Sequence, residues 1–104
     1  MAKNQLQRLT DLANKTMTRY CQEFPDIVVD RDYFPLKTGE EWGECLQSFL
    51  MLTNRGRQKG KTKRQIKESL SQEMADVFGF LLLFAEQEGI DLDKELTKKW
   101  TWKK

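Results

Sequence analysis

An all-α domain, bundle-like with four helices and completed by oligomerisation, is predicted by three observations. Apolar residues recur at three- and four-residue spacing along most of the chain. Only 2 Pro and 6 Gly occur in 104 residues, too few turn formers for a β sandwich. One helical run, residues 77–85 (VFGFLLLFA), is apolar around its whole circumference, whereas a surface helix of a small monomer keeps a polar face. At this length one domain is expected, residues 1–104, without room for a second core.

The first helix is expected over residues 5–24, where Leu6, Leu9, Leu12, Ala13, Met17, Tyr20, Cys21 and Phe24 form one apolar stripe. Pro25 ends it, and the segment PDIVVDRDYFPLK reads as an ordered connection with room for a short strand at residues 27–29. Thr38 is the expected N-cap of a second helix running to about Thr53, with Glu40 and Glu41 in its first turn and residues 54–56 as its stop. Trp42, Leu46, Phe49 and Leu50 form its main apolar stripe, and Gly43 allows close approach of a neighbour. A third helix is expected from Lys63 or Arg64 to Glu88, closed by Gly89, and Asp91 caps a last one over residues 92–100. Gly79 costs about 1 kcal/mol of helix propensity relative to alanine, which suits either a close helix crossing or an incidental small core residue. The all-round apolar third helix calls for cover from a second subunit, hence a homo-oligomer.

Charge and composition exclude several function classes. Lys+Arg 18 against Asp+Glu 16 gives a net charge of +2, which is neither a strongly basic nucleic-acid module nor an acidic disordered tail. Residues 55–67 nevertheless hold seven basic side chains and no acid, leaving the other 91 residues near −5. With no histidine, the chain has no Ser-His or Cys-His nucleophile pair, no histidine zinc site and no histidine base. Cys21 and Cys45 are isolated, as expected of reduced, packed thiols. The first ten residues carry no apolar leader and the longest apolar run is about half a membrane span, so a cytoplasmic protein without membrane association is expected.

The chemistry lies in acids. Glu41 and Glu44 on the second helix, and Glu73 and Asp76 on the third, are each spaced i, i+3 and share one face of their helix. Glu73 and Asp76 continue the stripe of Val77, Phe80 and Phe84, which places carboxylates on a line leading into the core. Anions crowded in low dielectric require a cation or matching donors. If the two helices form an antiparallel hairpin, with Cys45, Ser48 and Leu52 facing the third helix, the four carboxylates converge. An all-oxygen set suits Mg²⁺, or Mn²⁺, and not zinc.

The run Glu40-Glu41-Trp42-Gly43-Glu44, followed after 28 residues by Glu73-Met74-Ala75-Asp76, resembles the E-E-x-x-E then E-x-x-D signature of MazG-like all-α nucleoside triphosphate pyrophosphatases. This superfamily also holds dimeric dUTPases and phosphoribosyl-ATP pyrophosphohydrolases. The similarity extends over residues 36–96. It implies a MazG fold and Mg²⁺-dependent hydrolysis of a nucleoside triphosphate to the monophosphate and pyrophosphate, in house-cleaning or nucleotide-pool control. Carried onto this chain, Glu41, Glu44, Glu73 and Asp76 are the expected metal ligands and Glu40 a water-orienting carboxylate. Members are dimers or tetramers. Many follow the last helix with a lysine and an asparagine that contact substrate; here the end reads Lys98-Lys99-Trp100-Thr101-Trp102-Lys103, with lysines and no asparagine.

Such a reaction needs positioning, charge neutralisation and an activated water rather than a covalent nucleophile, with Glu40 or Glu41 receiving the proton of water. Arg55 and Arg57, nearest the second helix, are the expected cations for the β and γ phosphates, and Lys98 and Lys99 the expected substrate contacts from the last helix. The alternative is a helical oligomer without catalysis, either structural or binding single-stranded nucleic acid through the basic loop and the KKWTWKK end. Near-neutral charge and the acidic cluster make nucleic acid the less expected partner.

Overall fold

A computed structural model describes residues 3–101, which form four helices: α1 (Gln5–Glu23), α2 (Tyr33–Leu52), α3 (Lys63–Gln87) and α4 (Leu92–Trp100). The protein is all-α, with no strand among the described residues; the segment at residues 27–29 is irregular. None of the described helices is long and apolar enough to cross a membrane.

Helix ends follow local chemistry. Asn4 caps α1 in a reciprocal capping box with Gln7, and Thr62 does the same for α3 with Gln65. Gly89, at φ 69°, takes the left-handed conformation that closes α3, and the Ile90 amide donates back to the Ala85 carbonyl at 2.8 Å. The Asp91 side chain accepts from the Lys94 amide at the start of α4. The expected Thr38 cap of α2 is not formed: the helix begins six residues earlier than that cap implies, at Tyr33, and the Thr38 hydroxyl donates to the Phe34 carbonyl at 2.7 Å. Pro35 does not prevent this, because in a first turn the amide it lacks has no helical acceptor.

Helices α2 and α3 form the principal packing unit, and α1 lies more lightly on α3. Phe34 near the start of α2 meets Phe80 of α3, with ring centroids 6.5 Å apart, whereas Lys63 at the start of α3 donates to the Met51 and Leu52 carbonyls at 3.2 Å. The two helices are therefore antiparallel. At one end the Arg31 guanidinium holds Glu88 (2.7 and 3.2 Å) and Gln87 donates to the Arg31 carbonyl at 2.9 Å. At the other, Gln58 joins Lys63 in capping the last carbonyls of α2.

The core is small: Cys45 and Ser48 from α2, and Ile66, Leu70, Leu82, Leu83 and Ala85 from α3. No residue of α1 or α4 is buried. The expected apolar stripe of α2 is turned outward, with Trp42, Leu46, Phe49 and Leu50 between 43 and 50% exposed, and the Cys45–Ser48 face packs on α3 instead. Phe78 and Leu81 leave the apolar run of α3 partly uncovered. Neither Gly79 nor Gly43 lies at a close crossing, since a Cβ at either would meet no atom within 4 Å. The chain exposes 8575 Å², where a compact monomer of its mass exposes about 6,100 Å².

Candidate functional site

The inward turn of the Cys45–Ser48 face carries Glu41 with it and leaves Glu40 and Glu44 exposed. Glu41 lies one helical turn before Cys45, and its side chain is only 12% exposed. Burial raises the Glu41 pKa above its ordinary value, the neighbouring Glu44 carboxylate raises it further, and Asp76 adds to this from across the hairpin. Lys37 opposes the shift. Glu41 thus feels the charge of both Glu44 and Asp76.

Glu73 is half-buried on the facing helix, and its Oε1 is enclosed without a hydrogen-bond partner among the described residues. Burial pushes the Cys45 thiol pKa up, and the charge of Glu73 adds to the effect, so Cys45 sits beside this carboxylate as a packed, unreactive thiol. Of the four expected ligands only Glu41 and Glu73 are partly buried between α2 and α3; Glu44 and Asp76 are exposed, so the expected line of Asp76 into the core is not formed, because that residue lies at the open edge of the α3 face. Among the described residues no three acidic or cysteine side chains converge into a ready-made cation cage. A buried carboxylate oxygen lacking a donor is a costly arrangement that a hard divalent cation relieves, and an oxygen-only donor set fits that cation class.

Lys37 was not singled out from the sequence, although its i+3 and i+4 spacing to Glu40 and Glu41 is visible there. Its ammonium pairs with Glu40, approaches Glu41 at 3.6 Å and lies 5.6 Å from the centre of the Phe80 ring. Glu40 itself is exposed and held by this lysine.

The basic residues stand elsewhere. Arg55 donates to the Thr53 hydroxyl at 3.0 Å and rests on the Phe49 ring, and Arg57 is exposed in the turn after α2. α2 ends at Leu52, and the chain turns back so that the Arg55 amide donates to the Leu50 carbonyl at 2.8 Å. Lys98 and Lys99 are exposed on α4, which scarcely touches the other helices, and α3 extends about 16 Å from Asp76 before its own end. Among the described residues none of these four cations forms an ion pair with the four carboxylates. Trp102 and Lys103 lie outside the described residues.

On the α1 side, Asp76 also lines an apolar groove of about 370 Å³ between α1 and α3. Compared with known proteins, the chain matches no family model, no curated protein and no solved structure.

Proposed function

We propose that this chain is a MazG-like, Mg²⁺-dependent nucleoside triphosphate pyrophosphohydrolase, acting on the cytoplasmic nucleotide pool. The single observation that carries the reading is a buried Glu73 oxygen without a donor among the described residues, on the helix that faces Glu41, whose carboxyl feels the charges of Glu44 and Asp76. Glu41, Glu44, Glu73 and Asp76 would hold Mg²⁺, with Mn²⁺ as the alternative of the same donor preference. When bound, the ion supplies neutralisation of phosphate charge and a more acidic water.

The chain's own groups account for the remainder. Glu40 or Glu41 would take the proton of the attacking water at a carboxylate oxygen, with Glu40, exposed beside Glu41, orienting that water. Lys37 keeps the two carboxylates in register from one side.

A homo-oligomer is part of this proposal. Arg55, Arg57, Lys98 and Lys99 make no ion pair with the carboxylates in the single chain, and a second copy would bring further cations to the triphosphate. The excess exposed surface and the outward apolar stripe of α2 favour such an assembly.

The decisive experiment is release of pyrophosphate from a panel of nucleoside triphosphates with and without Mg²⁺. Glu44→Gln and Asp76→Asn should each lower the Mg²⁺-dependent rate by about a hundredfold or more while helicity is unchanged. Turnover equal to wild type in either variant would reject the assignment.

A further inference from the structure

The groove between α1 and α3 has no role in the chemistry described so far. Its walls are Leu9, Ala13 and Met17 of α1 and Ala75, Gly79 and Leu83 of α3, and its volume is about 370 Å³. Small residues open it on both sides, and at Gly79 an added Cβ would meet nothing within 4 Å. Glycine in mid-helix costs about 1 kcal/mol relative to alanine, so this empty space is kept at the expense of α3.

Asp76, one of the four carboxylates assigned above to the metal, also lines the groove. A charged site and an apolar slot are thereby joined through one residue. The Thr16 hydroxyl at the groove donates to the Leu12 carbonyl at 2.9 Å, leaving only lone pairs to offer a ligand.

We infer that the α1–α3 groove receives the base of the nucleotide whose triphosphate is held at the carboxylates. This rests on the function proposed above and adds the part of the substrate that the carboxylates do not read. A nucleotide has the same division, with its anionic chain at one end and a flat, weakly polar ring at the other. The volume lies within the range of small-molecule sites, and an apolar slot with few polar groups is their usual composition. The Thr16 acceptor matches the N–H groups on the edge of a base. The other two cavities suit a base less well. One, near Asn4, is lined by Asp11, Glu86, Asp91 and Asp93, which repel a triphosphate, and the other is bounded by the Arg31–Glu88 ion pair.

The test is an amide NMR titration of the full chain with Mg²⁺ and α,β-methylene nucleoside triphosphates covering the common bases. Saturable shifts at Ala13, Ala75 and Gly79, together with shifts at Glu41 and Glu44, are expected for at least one base. Gly79→Leu should abolish the groove shifts and raise Kd about tenfold, the loss of one well-filled apolar contact region. Ala13→Leu repeats the test from the opposite wall if the first variant does not fold. Shifts confined to the carboxylates would overturn the groove assignment and leave the proposed function standing. Shifts confined to the groove would uphold base binding and remove that function. Shifts at neither place, or groove amides that respond to protein dilution and not to the analogue, would overturn the assignment, the latter in favour of a second copy as occupant.

Discussion

Glu41 occupies the least comfortable position in the chain. Burial is the first cause of its raised pKa, the Glu44 charge the second, and the Lys37 ammonium at 3.6 Å only partly offsets them. The folded chain therefore holds this proton more tightly than the unfolded one. The stabilising contribution of Glu41 is complete below its ordinary pKa of 4.5 and is lost as pH rises through the higher folded value. At neutral pH without divalent ions, Glu41→Gln should accordingly melt above wild type, and near pH 4 the two should coincide. Millimolar Mg²⁺ should reverse the neutral-pH order, since an ion bound only by the folded state raises the melting temperature and the variant lacks one of its ligands. Thermal melts at two pH values, with EDTA or Mg²⁺, measure all of this. A variant that melts below wild type in EDTA at pH 7 would show that Lys37, and not burial, dominates Glu41.

At the scale of the helix, α3 combines two opposing tendencies. Its capping box and left-handed Gly89 fix both ends, but Gly79 in its middle is uncompensated by any close neighbour. Gly79→Ala should therefore stabilise the chain by up to about 1 kcal/mol, a rise of several degrees for a domain of this size, read by thermal denaturation. A loss of stability would mean that another surface approaches Gly79 closely in the assembled protein. The ends of α1, α3 and α4 were legible from Pro25, Gly89 and Asp91, because caps and breakers act within a few residues. The first turn of α2 was not, since Pro35 reads as a breaker although in a first turn it costs little. The acidic pairs were legible from their i, i+3 spacing. The face of α2 that packs was less so, because Trp42, Leu46, Phe49 and Leu50 outweigh Cys45 and Ser48 in hydrophobicity. Small side chains let α3 come close, a property of fit that periodicity does not carry. Lys63 looked like one more charge in a basic loop, yet its ammonium caps α2.

For the whole molecule, the question is what covers the surface one chain leaves open. The radius of gyration is 16.5 Å, where a compact chain of this length has about 13 Å. The surplus of exposed area is about 2,500 Å², and obligate interfaces commonly bury about 2,000–5,000 Å². Much of it is apolar and ordered in stripes: Trp42, Leu46, Phe49 and Leu50 along α2, and Met74, Phe78 and Leu81 along α3. Contiguous apolar surface of this kind is uncommon on monomers. Sedimentation of the full chain at micromolar concentration should therefore give at least twice the 12.3 kDa monomer, with a melting temperature that rises with concentration. Replacing both Trp42 and Leu46 by glutamate should shift it to the monomer, because unpaired charges at the centre of an apolar interface are not tolerated. Should the doubly substituted chain sediment like wild type, the interface lies elsewhere. A wild-type chain that stays at 12.3 kDa would remove the homo-oligomer from the proposal and leave the apolar stripes of α2 and α3 as the surface of a monomer.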